Sequence, residues 1–589
     1  MCYSVSNPEI QTGRTIQFTP LPSLQMRQHV EYNHTLYRHL DGRWPNPNGF
    51  LVLEETGAIK TPSRATTVTM AGGGEESPII NGIVKNDKVP WYRKKNLRNL
   101  YLWLVPFAMF IESTSGFDSS MMNGLQALSY WQEHFNKPEG AILGLLVSCY
   151  SLGAVSAIPF VPLVSDWVGR RYSIVFGSVV MIIGAILQGF STNIAMFIFA
   201  RVFLGHGIVY AIVAGAALLG ELGHPKERQF LGSMFNAFYS VGALLGAGIV
   251  FQTLQIQSNW SWRLPSILQA APSLIQAVTV FAIPESPRWL VSKDRQEEAL
   301  ELLIKYHAEG DASNPLPHAE FAEIKKALEI ENEGRKRGWL ELFQSPAMRR
   351  RTLVSGMLGV FCQFSGNALI SQYLVPILRM IGYQDSKIQL KFSVGREAWG
   401  LIVCFTLASI TPRFPRRRMY LLCTVCLLLC YSSWTASQAR QMITQSHAAG
   451  IATIFFIFLY TPCYNIAYNA LTYVYLVELW PYYARTKGIT WFQLCSRAAS
   501  TFGAQVNPIG LRGIEWKYLL VYVCFLCFEI VFIYFLFPET FGKTLEELAF
   551  LFESEAESGR ELESATQKAL GNYVETTEIQ EVQGSAKGT

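Results

Sequence analysis

The chain has 589 residues and a formal net charge of +5. Half of its residues are hydrophobic, 13% are aromatic and only 16% are charged. A chain this long and this apolar is not an ordinary soluble protein. The weak basic balance does not make a nucleic-acid surface, and the pattern fits a multi-span membrane protein.

Residues 1–97 are polar, rich in Pro, Gly, Ser and Asn, and lack helical periodicity. They read as a disordered cytoplasmic arm. Met70-Ala-Gly-Gly-Gly-Glu-Glu-Ser looks like a natural start, so residues 1–69 read as an extension that is optional or wrongly assigned to the protein. No secretory signal is visible, and the first span, from near Asn99, is expected to serve as a retained signal anchor. Apolar runs follow at roughly 99–122, 141–164, 172–190, 194–220, 230–253 and 264–283. A second set lies at roughly 353–376, 391–411, 419–437, 449–475, 488–508 and 517–537. Each approaches the ~20 residues that a helix needs to cross a bilayer. The expected fold is therefore all-α, with twelve transmembrane helices in two six-helix bundles, 98–284 and 352–538. A cytoplasmic helical linker (285–351) would join them, and a cytoplasmic tail (539–589) would follow.

Asp166-Trp167-Val168-Gly169-Arg170-Arg171 is a polar knot between two of these runs and reads as a short loop, with Gly169 allowing the tight turn. Most Arg and Lys residues fall in alternate loops: 165–171, 224–228, 285–352, 412–418 and 484–487. By the positive-inside rule these loops and both termini face the cytoplasm. In the linker, Gln296–Glu309 and Glu320–Arg335 carry helical spacing. Asn259-Trp260-Ser261 is a glycosylation sequon on the outer side, whereas Asn33-His34-Thr35 falls on the cytoplasmic side.

The two sets repeat one another. Glu221 and Arg228 stand seven apart, as do Glu478 and Arg485 at an offset of 257 (221 to 478). Pro284-Glu285-Ser286-Pro287 matches Pro538-Glu539-Thr540-Phe541 at an offset of 254 (285 to 539). The knot has a counterpart in Pro412-Arg413-Phe414-Pro415-Arg416-Arg417 at an offset of 246 (166 to 412). Two related halves around a central cleft are the build of an alternating-access transporter. The 11 cysteines lie mostly in apolar runs without disulfide or zinc spacing. No metal cluster, nucleotide loop or nucleophile constellation is visible, so neither an enzyme nor a cofactor is expected.

These residues resemble the sugar porter branch of the major facilitator superfamily. The resemblance runs from Asn99 to about Phe552. It rests on Gly116-Phe117-Asp118, the knot, Arg201-x-x-x-Gly205-x-Gly207, Pro284-Glu285-Ser286-Pro287-Arg288-Trp289, Gln363-Phe364-Ser365-Gly366-Asn367 and Pro538-Glu539-Thr540-Phe541-Gly542-Lys543. Met121-Met122-Asn123-Gly124-Leu125-Gln126 and Val506-Asn507-Pro508-Ile509 look like fungal lactose permease and cellodextrin transporters. The resemblance implies proton coupling through Asp118 and its partner Arg201. It also implies sugar contacts at Gln363, Asn367, Asn236 and Tyr473, with Tyr373, Trp399 and Asn507 as weaker candidates. A cytoplasmic gate would be built from Asp166, Gly169, Arg170, Arg171, Glu221, Arg228, Glu285, Arg288, Glu478, Arg485 and Glu539. Amides grip hydroxyl pairs and aromatic rings cover C–H faces, so the residue types suit a sugar. An acid in a bilayer is costly unless paired, so Asp118 suits a proton switch.

The second half departs from this pattern. Pro412 and Pro415 replace the knot's Asp and Gly, so a clamp like that of the first half is not expected there. Lys391, Arg396 and Glu397 add charge to the eighth run, with the outer interface as the expected place for the pair. The expected activity is transport of a hexose or β-linked disaccharide by a monomer in the plasma membrane, with proton symport. A sensor on the same fold, or a facilitator without proton coupling, are the alternatives.

Overall fold

The structure is a computed structural model that describes residues 87, 89–336, 338–481, 484–541 and 552, with a few side chains, including that of Asn236, left out. The expected arm up to residue 86, the start at Met70, the Asn33 sequon and nearly all of the tail lie outside the described residues. Each of the twelve apolar runs is helical. The first half holds α1 (Lys95–Leu125), α2 (Ala141–Ala157), α3 (Val161–Val168), α4 (Arg170–Gly189), α5 (Ile194–Leu222), α6 (Pro225–Thr253), α7 (Trp260–Leu268) and α8 (Ala270–Thr279). Three linker helices follow, α9 (Pro287–Ser292), α10 (Gln296–His307) and α11 (Pro315–Lys336). The second half holds α12 (Pro346–Phe364), α13 (Asn367–Met380), α14 (Ser386–Ile410), α15 (Arg416–Thr444), α16 (His447–Tyr464), α17 (Thr472–Leu479), α18 (Arg485–Ile514) and α19 (Tyr518–Leu536). Among the described residues, eight helices are long and apolar enough to cross a membrane, and the pair α2–α3, bent by 53°, adds a ninth.

Three boundaries differ from the sequence reading. Trp91–Arg93 forms a short helical turn and α1 already starts at Lys95, so the end of the expected arm is built into the fold. The polar knot is not a loop: Asp166 lies in α3, Arg170 opens α4, and Gly169 alone separates them. Its φ of +94° is accessible to glycine, and a Cβ there would come within 2.6 Å of the Glu285 carboxylate. The seventh run is broken between α12 and α13, where Gly366 has φ +98° and a Cβ would run into the Tyr431 hydroxyl.

The two halves pack by the same rule. In the first, α1 lies on α6 and α4 on α5; in the second, α12 lies on α18 and α15 on α16. The halves meet along α2 with α18, α6 with α14 and α1 with α13. Hydrogen bonds between them gather at the end opposite the arginines. Asn123 donates to the Ser393 hydroxyl at 3.1 Å, and the Val375 N–H donates back to Asn123 at 3.2 Å. Gln126 donates to the Gln372 carbonyl at 2.8 Å, and Arg379 to the Gln126 carbonyl at 2.6 Å. Ser148 and Gln505 (3.1 Å) and Ser151 and Ser500 (3.2 Å) continue the seam inward.

Candidate functional site

On the Arg-rich side of that seam lies a cavity of about 320 Å³ between the halves. Asp118, Gln363, Asn367 and Tyr473 all line it. The broken seventh run explains how Gln363 and Asn367 share this wall. They stand on either side of the Gly366 break rather than on one helix face. Gln363 donates to the Ser496 hydroxyl at 3.1 Å, which fixes its amide toward the cavity. Tyr473 accepts from Gln493 at 2.6 Å and stands edge-on to Phe492.

Asp118 is 2% exposed and makes an ion pair with Arg201, also 2% exposed. Gln269 donates to the same carboxylate oxygen at 2.8 Å. Arg201 is held from behind: its Nε donates to the Leu146 carbonyl at 3.2 Å, and its guanidinium lies 5.2 Å from the Tyr150 ring centre. An isolated buried charge costs several kcal/mol, and this cage offsets the cost for both partners. Asp118 touches the cavity while Arg201 stands behind it, so water in the cavity reaches the acid first.

Several expected contacts lie elsewhere. Tyr373 is fully buried, sits at a kink in α13 and donates to the Ala504 carbonyl at 2.6 Å; its neighbour Gln372 lines the cavity instead. Asn507 is fully buried and accepts from Tyr518 at 2.9 Å and Tyr522 at 2.5 Å, tying two helices together. Trp399 is partly exposed and donates to the Phe458 carbonyl at 3.1 Å. The Asn236 side chain lies outside the described residues. Arg396 and Glu397 pair with each other, with side chains 10% and 12% exposed. They stand ten residues into α14, about 15 Å along its axis, so the expected place at the outer interface is corrected to the protein interior. Asn259 of the outer sequon is half-buried, and its side-chain oxygen accepts from the Trp262 indole at 3.4 Å.

The cavity also holds residues that sequence reading passed over: Glu112, Gln372, Asn469, Ser496 and Arg497. Asn469 ends a π-helical turn, Asn465–Asn469, between α16 and α17. Such turns re-aim side chains and are frequent at functional sites. Gln269, on the sixth run, was legible only as one polar residue on an apolar face.

At the Arg-rich end each half carries a clamp. In the first, the N–H groups of Arg170 and Arg171 donate to Glu285 at 3.1 and 3.2 Å. Arg170 lies 3.6 Å from Glu221, which also accepts from the Ser286 hydroxyl. Burial pushes the Glu285 carboxyl up, and the N–H groups of Ser286, Arg171 and Arg170 oppose that shift. In the second half, the Arg416 N–H donates to Glu539 at 2.8 Å, and Thr540 donates to Glu478 at 2.5 Å. Arg416 also pairs with Glu478 at 2.9 Å. The expectation that Pro412 and Pro415 prevent this clamp is therefore corrected. It needs a helix-start N–H and one arginine, and neither depends on the missing Asp or Gly. What is lost is the pairing of Asp166 with Arg170 at 3.7 Å. Arg171 and Arg417 each reach the last carbonyls of their half, Arg171 at Phe281 (3.1 Å) and Arg417 at Tyr534. Arg228 turns to the linker, 3.4 Å from Glu320. Arg288 is half-buried in α9, and Arg485 opens α18.

Comparison with known proteins agrees with this geometry. The family model for "Sugar (and other) transporter" matches residues 104–552. The chain belongs to that family. The high-affinity glucose transporter 1 of Candida albicans is 26% identical over 465 residues, covering 76% of this chain and 84% of the relative. The probable metabolite transport protein CsbC of Bacillus subtilis is 30% identical over 410 residues, covering 69% of this chain and 85% of the relative. The inward-open xylose transporter XylE of E. coli superposes with a TM-score of 0.64 at 20% identity, covering 77% of this chain and all of that one. The fold is that of the major facilitator superfamily, and the chain is an integral multi-pass membrane protein of a transporter family rather than an enzyme family.

Proposed function

We propose that this chain carries a sugar across a membrane by alternating access, coupled to protons. Twelve spans in two rocking six-helix halves, with the Arg-rich end and both termini in the cytoplasm of a plasma-membrane monomer, complete the reading. The observation that carries it is the cavity between the halves, where Gln363, Asn367 and Tyr473 face Asp118. In the present state the seam closes the outer end and the cavity lies toward the cytoplasmic end. Protonation of Asp118 from that side would release Arg201 and change the packing of α1 on α5, giving the proton a differential hold on the two states. A glucose transporter and a xylose–proton symporter among the similar proteins support the substrate and the coupling. A volume of about 320 Å³ is at the small end of ligand cavities, about 300–1,000 Å³, and favours a monosaccharide over a disaccharide. The second-half clamp, formed as in the first half, supports transport over a sensor.

Uptake of labelled sugars in cells that lack their own carriers tests the reading. Uphill accumulation that collapses with a protonophore is expected. Equilibration without accumulation makes the chain a facilitator, and absence of any flux overturns transport.

A further inference from the structure

Among the described residues, three charged side chains line the cavity, Asp118, Glu112 and Arg497, and of these Asp118 alone makes an ion pair, with Arg201 behind it. Glu112 sits on α1, six residues from Asp118 toward the Arg-rich end, and is 9% exposed. Arg497 sits on α18, in the other half, one turn from Ser500 of the seam. It is half-buried and lies within electrostatic reach of Glu112, Tyr150 and Tyr473. Among the described residues, neither the Glu112 nor the Arg497 side chain has a hydrogen-bond or ion-pair partner; the Arg497 carbonyl accepts from the Thr501 hydroxyl at 2.9 Å.

A guanidinium stays charged at any physiological pH and grips a carboxylate with two parallel N–H bonds. A neutral sugar offers it only hydroxyl oxygens, a weaker match than a carboxylate. Gln363, Asn367 and the hydroxyls around them can serve a sugar's own hydroxyls, and among the described residues Arg497 makes no ion pair, with Glu112 an opposite charge across the cavity. We propose, resting on the sugar-transport reading, that the preferred cargo is a sugar acid and that Arg497 anchors its carboxylate. The neighbours suit that anchor. Tyr473, already accepting from Gln493, keeps its own O–H to donate. Glu112 shares the cavity with Arg497 without pairing with it, so a cargo carboxylate competes with Glu112 for the guanidinium.

Matched ligand pairs test this on the purified full-length protein in lipid nanodiscs: D-glucose against D-glucuronate, and D-galactose against D-galacturonate. Each pair differs only in a C6 hydroxymethyl or carboxylate. Calorimetry is expected to show the acid of one pair binding about tenfold or more tightly than its neutral twin, the scale of one charge-assisted contact. Arg497→Gln brings that ratio near one, Arg497→Lys leaves an intermediate ratio, and Glu112→Gln tightens the acid. Gln363→Ala weakens both members alike. Neutral sugars binding as tightly as the acids, or a preference that survives Arg497→Gln, overturns the anchor while leaving sugar transport standing. If no member of either pair binds, both readings fall.

Discussion

Arg170 and Arg416 hold the Arg-rich ends of the two halves by the same contacts: a backbone N–H to Glu285 or Glu539, and a side chain to Glu221 or Glu478. The middles of the halves share nothing of the kind. The first half buries an ion pair, Asp118 with Arg201, while the second half offers the cavity the amides and phenol of Gln363, Asn367 and Tyr473. The repeat has kept one set of contacts at the Arg-rich end of both halves. It has diverged in the middle, where the proposed function gives the halves different work, a proton for the first and a cargo for the second.

The comparison can be broken at several points. The largest effect belongs to the buried pair. Asp118→Ala strands Arg201 in the interior and is expected to lower stability by about 3–5 kcal/mol, whereas Asp166→Ala, at a side chain 44% exposed, is expected to cost under about 1 kcal/mol. Thermal unfolding of the purified protein checks both, and similar losses would deny that the middle and the edge differ. Next come the clamps. Glu221→Gln and Glu478→Gln should each destabilise by about 1–3 kcal/mol. If Glu478→Gln is silent while Glu221→Gln is not, the second clamp carries no load. Gln363→Ala should raise the KM for the carried sugar about two- to thirteenfold, the loss of one net hydrogen bond of about 0.5–1.5 kcal/mol, without abolishing accumulation. Loss of coupling instead would move the proton site into the second half.

The smallest effect is at the linker. Burial alone would raise the Glu320 carboxyl, but His307, 2.5 Å away, and Arg228 hold it below the ordinary value. A depressed folded-state value means that the contact stabilises above the ordinary carboxylate pKa of about 4.5 and loses that contribution as pH falls below it. Hydrogen exchange in α10 and α11, corrected for its intrinsic pH dependence, should quicken at acid pH in the wild type. Glu320→Gln should flatten that response.

Much of this was legible in the chain. Hydrophobic run length placed the helices, and the spacing of Glu221, Glu285, Glu478 and Glu539 revealed the repeat. Run length could not reveal the breaks at Ile158–Phe160 or Gly366, because a kink changes direction without changing composition. The second clamp was not legible from the side chains missing at Pro412 and Pro415, because its bond to Glu539 is made by a backbone N–H that any residue but proline supplies. Tyr373 and Asn507 were misplaced because the face that a buried polar residue presents depends on local kinks. Glu112 and Arg497 went unread because each belongs to a different half, and only packing brings them to one cavity.

On the proposed function, Asp118 converts a proton gradient into the rocking of the two halves. Comparing Asp118→Asn with the wild type in reconstituted vesicles, for both uphill accumulation and sugar exchange at equal pH, tests this. Accumulation is expected to disappear while exchange persists, because the variant still binds and moves but no longer distinguishes the two sides by protonation. Accumulation at the wild-type level in Asp118→Asn would contradict it.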